Sequence, residues 1–195
     1  MTGETTVQPA AQQDPHGTTI TLEAYADTIV PGEKRWPDDR AIAGIAEGGG
    51  AVAAGAVPLL EMPEGGMAPM LDDVVAALNA HAERYIKDNG IEPDDTAAPF
   101  VTLSSEHRIA LVTEICDPDH PEKQLWIGLA LYCYMAFDTG GHMHTVDAIA
   151  QGHPGLTKMD FLKPDTDGLW RFPDSSYRRP LARLHPNTTA NGSPA

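Results

Sequence analysis

The chain has 195 residues, 42% of them hydrophobic, with 13 Lys/Arg against 28 Asp/Glu and a formal net charge of −15; that suffices for one ordinary core in a single domain. The balance sets nucleic acid aside as a partner, because affinity for a phosphate backbone rests on Lys and Arg neutralising phosphates. Two cysteines, Cys116 and Cys133, are too few for a disulfide framework, and both fall in apolar helical patterns where a buried, reduced thiol is the commonest role.

Residues 1–18 are polar, aperiodic and rich in Thr, Gln, Pro and Gly, as expected of a flexible arm. They carry neither a Sec nor a twin-Arg pattern, and the expected location is cytoplasmic. The spacing of Ile20, Leu22, Tyr25, Ala26 and Ile29 predicts a first helix, stopped by Pro31-Gly32. "DDRAIAGIAEGGG" (38–50) predicts a shorter helix with acids in its first turn and a glycine terminator. "AVAAGAVPLLEMPEGG" (51–66) carries only a weak signal. The clearest helix follows Pro69, with Leu71, Val74, Val75, Leu78, Ala82, Tyr85 and Ile86 on one face and Gly90 as its stop.

After a proline-bounded loop, Ser104 or Ser105 can cap a helix whose buried stripe is expected to be Ile109, Leu111, Val112 and Ile115. "DPDHP" (117–121) then turns the chain. "LWIGLALYCYMAF" (125–137) is apolar nearly all round, which predicts a central helix enclosed by others; it is shorter than the ~20 residues of a membrane span, so no membrane partner is expected. "HMHTVDAIAQG" (142–152) predicts a short helix closed by Gly152. Prolines at 154, 164, 173, 180, 186 and 194 break any longer element beyond it. The expected fold is all-α: a flexible arm over 1–18, an irregular helical bundle over 19–152 around a central apolar helix, and an extended, proline-rich tail over 153–195.

His142, His144 and His153 fall within twelve residues. An H-x-H pair can supply two metal ligands from an extended segment, whereas in a helix the two side chains diverge, so metal ligation and plain hydrogen bonding both fit. With Tyr132, Tyr134 and Asp138 on the preceding helix, these histidines could also serve an enzyme as acid/base groups. "EGGGAVAAG" (47–55) lacks the Lys-Ser/Thr of a phosphate loop and reads as a connection. Ser104-Ser105 with His107 matches a nucleophile and base by residue type only, and capping accounts for them better.

The tail reverses the charge. Residues 168–187 hold four of the thirteen cationic side chains and only one acid, Asp174. Trp170, Arg171, Phe172, Tyr177, Arg178, Arg179 and Arg183 are of the types most enriched at interface hot spots. Proline lowers the entropy lost on ordering, so the stretch suits an extended ribbon laid either on a partner or on the acidic body of the chain itself.

"TLEAYADTIVPGE" (21–33), an alanine/glycine-rich segment, "FVTLSSEHRIALVTEI" (100–115) and the aromatic-bearing helix ending "MAFDTG" together resemble the small subunit of gluconate 2-dehydrogenase, over about residues 20–140. That family accompanies flavoprotein dehydrogenases of the glucose–methanol–choline class. The resemblance implies a non-catalytic subunit with no cofactor of its own, which stabilises or matures a large partner carrying FAD that oxidises an alcohol or sugar hydroxyl.

Overall fold

The computed structural model describes residues 17–166 and Asn187. Eight α-helices and no strand occur among the described residues: α1 (Thr18–Ile29), α2 (Ala56–Leu60), α3 (Leu71–Asp88), α4 (Pro99–Thr102), α5 (Ser105–Ile115), α6 (Lys123–Thr139), α7 (Thr145–Ala150) and α8 (Pro154–Lys158). The fold is all-α. The chain divides into two compact units, Met1–Phe161 and Leu162–Ala195, and the helices belong to the first.

The hub is α1. Its short side chains at Ala24 and Ala26 let neighbours approach closely, and it touches α2, α3, α4, α5 and α6. Tyr25, fully buried, packs its ring 6.3 Å from Phe100 and 6.5 Å from Trp126. Its hydroxyl donates to the Trp126 carbonyl at 2.8 Å, so the polar tip of a core aromatic is satisfied by the first turn of α6. Burial pushes this phenol far above its ordinary pKa.

α3 buries Leu71, Val74, Val75, Leu78, Ala82 and Ile86, the face its periodicity predicts, with Tyr85 partly buried at the edge. α5 departs from expectation. Its buried residues are Arg108, Leu111, Val112 and Ile115, spaced three, one and three apart, while Ile109 is 46% exposed. The helix is thus turned so that an arginine takes the place expected of an isoleucine. The Arg108 guanidinium donates to the carbonyls of Ala41 (2.7 Å), Arg40 (2.7 Å) and Val101 (2.6 Å), which offsets the cost of burying it. Ser104 caps α5 as expected, its hydroxyl accepting from the His107 amide at 3.4 Å.

The helix predicted over 38–50 does not form. Its backbone groups bond to side chains instead. Asp39 Oδ1 accepts from the amides of Ala41 (3.1 Å) and Ile42 (3.4 Å). Buried Asp27 on α1 accepts from the amides of Gly32 (3.0 Å) and Ala43 (2.8 Å), and Arg108 takes the carbonyls. A short Asp that bonds nearby amides offers the chain an alternative to helix. Arg35 closes the network against Asp39 (2.7 Å) and Glu23 (2.6 Å).

The glycine run serves this same loop. The Ala51 amide donates to the Val30 carbonyl at 2.9 Å and the Glu33 amide to Gly48 at 2.8 Å, so the end of α1 and "GGG" cross backbone to backbone. A Cβ on Gly50 would fall on the Val30 carbonyl oxygen and lie 2.6 Å from Pro31 C. The connection expected of 47–55 is therefore a close crossing.

The stretch expected to be extended from residue 153 begins instead with α8, and the helical unit runs to Phe161. Pro154 sits in the first turn, where its missing amide costs nothing. Gly155 lets α8 meet α6, since a Cβ there would strike the Phe137 carbonyl.

Candidate interaction surface and histidine clusters

α6 forms because thirteen consecutive residues from Leu125 lack charge and helix breakers apart from Gly128, and it stops at Gly140, whose φ of 60° is the left-handed conformation that ends a helix. Its inner face holds Trp126, Leu129, Cys133 and Ala136, all fully buried. α1, α2, α5 and α8 all pack against this helix. The enclosure is one-sided, however. Ile127, Leu131, Tyr134 and Met135 are between 40% and 56% exposed, and their spacing of four, three and one places them on one helical face. Gly128, beside them, would have open space around an added Cβ. Four large apolar side chains thus face water along one stripe, which makes this face a candidate interaction surface. All-round apolarity signalled this helix, but which side stays open depends on how the other helices pack.

The tail residues Trp170, Arg171, Phe172, Tyr177, Arg178, Arg179 and Arg183 lie outside the described residues.

The structure places the three sequence-predicted histidines around the α6–α8 corner in different roles. His153 is buried. Its Nδ1 accepts from the Leu156 amide at 3.3 Å, capping α8, so the neutral ring carries its proton on Nε2 and donates it to the Ala54 carbonyl at 3.1 Å. Both nitrogens are engaged, which leaves no lone pair for a metal. His142 packs against Gly55, where a Cβ would collide with its ring, and lies 6.3 Å from His153 between ring centres. Burial, and then His153, hold His142 below its ordinary pKa, and its buried Nδ1 has no partner among the described residues. His144 is the exposed residue preceding α7 and does not cap it through its side chain. Of the remaining candidates, Tyr132 donates to the Gly65 carbonyl, Tyr134 belongs to the open stripe, and His107 Nδ1 meets the Tyr85 hydroxyl at 3.2 Å.

A second imidazole cluster was not legible in the sequence. His81 on α3, His120 in the 117–121 turn and Glu122 just before α6 bring one ligand atom each to within 4.8 Å of one another. His81 Nε2 lies 2.7 Å from Glu122 Oε2, and the two rings are 5.3 Å apart. Hydrogen bonding to His81 holds the Glu122 carboxyl below the usual range. Some forty residues separate His81 from the other two, so spacing along the chain carries no trace of the cluster.

Burial pushes the Cys133 thiol up to about 12, Cys116 is raised for the same reason, and both cysteines are free; Cys133 is buried in α6 as expected, whereas Cys116 is the partly buried residue that follows α5. Among the described residues no helix is long and apolar enough to cross a membrane.

No curated protein and no solved structure matches this sequence. A family model described as "Family of unknown function (DUF5987)" matches residues 16–195, nearly the whole chain and all eight helices, and the chain belongs to that family.

Proposed function

We propose that this chain is a non-catalytic accessory subunit that stabilises or matures a large flavin-dependent oxidoreductase of the glucose–methanol–choline class, in the cytoplasm. The observation that carries the reading is the open face of α6. Ile127, Leu131, Tyr134 and Met135 are held rigid by a helix whose other side is locked into the core. Covering such a face yields about 25 cal/mol per Å² of apolar area removed from water. The resemblance of residues 20–140 to gluconate 2-dehydrogenase small subunits supports the choice of partner, and the FAD belongs to that partner. The aromatic and arginine side chains of residues 170–183 supply a second anchor of hot-spot chemistry.

Co-purification from the source cell tests this, with bound flavin in the eluate as the readout. Leu131→Asp and Met135→Asp should each cost the monomer no more than ~1–2 kcal/mol, since about half of each side chain already faces water, and should reduce recovery of the flavoprotein at least tenfold. Trp170→Ala and Arg179→Ala should weaken recovery to a similar degree, at ~2 kcal/mol per hot-spot side chain. Unchanged recovery in all four variants, or turnover of an alcohol or sugar by the isolated chain, would remove the proposal.

A further inference from the structure

We propose that His81, His120 and Glu122 form a binding site for a zinc-class divalent metal ion, clamping α3 to the start of α6. Two imidazoles and one carboxylate make the donor set of many three-ligand zinc sites, with water completing the tetrahedron. The ligand atoms already converge within 4.8 Å, and an ion at ~2.0–2.2 Å from each would close that spread through small side-chain rotations.

The supporting contacts are those a metal site needs around its ligands. Fully buried Trp126 donates its indole N–H to Glu122 Oε2 at 3.4 Å. The same indole meets the His81 ring edge-on at 5.6 Å and 87°. One core tryptophan therefore orients two of the three ligands. The third is set by its turn: the His120 amide bonds the Asp117 carbonyl at 2.9 Å, the Asp119 amide bonds the Asp117 side chain at 2.9 Å, and Pro121 disfavours helical backbone at His120. The Glu122 amide donates to His120 Nδ1 at 3.2 Å, which fixes the neutral ring with its proton on Nε2 and its lone pair on Nδ1, so the ion would take that lone pair in place of this long amide bond.

Arg84 opposes binding, and this makes the proposal specific. Its guanidinium lies 2.8 Å from His81 Nδ1. Because arginine only donates, neutral His81 then carries its proton on Nε2 and gives that hydrogen bond to Glu122. Coordination through Nε2 moves the proton to Nδ1 and turns the exposed Arg84 side chain out into water. Arg84 is a restraint on the site and also a like charge beside the ion, so its removal should tighten binding while loss of a ligand weakens it.

The test uses the full-length, tag-free chain, stripped with chelator and titrated with zinc chloride by calorimetry, with thermal unfolding as a second readout. One zinc per chain is expected, with a rise in Tm. His120→Ala, at a partly buried position, and Glu122→Gln, at an exposed one that retains an oxygen for Trp126, should weaken binding at least ~10-fold. Arg84→Ala should tighten it several-fold. A His142→Ala/His144→Ala double variant should bind as wild type. Absence of saturable zinc binding, binding unaffected by His120→Ala and Glu122→Gln, weaker binding in Arg84→Ala, or loss of binding in the His142/His144 double variant would each overturn the assignment.

Discussion

Replacing Gly50 with alanine adds one methyl group to a site with no room for it. The new Cβ would fall on the Val30 carbonyl oxygen and stand 2.6 Å from Pro31 C and 2.7 Å from Gly32 N. All three neighbours are backbone, so no side chain can swing aside. The crossing must open, and with it the Ala51 N–H to Val30 carbonyl bond at 2.9 Å. Overpacking of this kind costs about 1–3 kcal/mol, and the broken bond adds about 1 kcal/mol. The restricted unfolded chain returns ~0.4–1 kcal/mol, leaving a net loss of ~1–3.5 kcal/mol. In a chain of this size, at about 2–4 °C per kcal/mol, that lowers Tm by roughly 2–14 °C. Urea unfolding measures it directly, and Gly128→Ala is the matched control. That glycine is on α6 with open space around it, so the substitution should stabilise by ~0.5–1 kcal/mol. A Gly50→Ala protein within ~0.5 kcal/mol of wild type would refute the idea that the two backbones hold each other in contact.

Arg108→Met should destabilise by ~3 kcal/mol in urea unfolding, because three carbonyls lose their donor and Asp27 loses a compensating charge; Arg108→Lys should recover little, since one ammonium cannot span the fork. Asp39 predicts a pH dependence: burial works to raise its pKa, but hydrogen bonds and charge from Arg35 hold it below the ordinary 3.8. A carboxyl with a depressed folded pKa binds protons more readily in the unfolded chain, so its contribution is complete above pH 3.8 and fades as pH falls through the lower folded value. Urea midpoints measured against pH should show a shallower acid limb in Asp39→Asn than in wild type, and an identical limb would rule the contribution out.

Where an element's identity follows from local chemistry, the sequence alone was sufficient. The all-α class, the buried face of α3, the Ser104 cap and the Gly90 and Gly152 stops each depend on residues within a turn or two of one another, and periodicity reads at that range. The orientation of α5 does not. A pattern that excludes arginine from the core prefers Ile109, and only the carbonyls of residues 40, 41 and 101 converging on one point make Arg108 the better buried residue. Residues 38–50 look helical on the same grounds, yet Asp27, sixteen residues from Ala43, takes one of the amides a helix would have used. The open side of α6 and the meeting of His81 with His120 and Glu122 likewise depend on which helices lie alongside each other. Local propensity is fixed by neighbours along the chain, whereas burial and convergence are fixed by neighbours in space, and those come into being only when the helices close around α1.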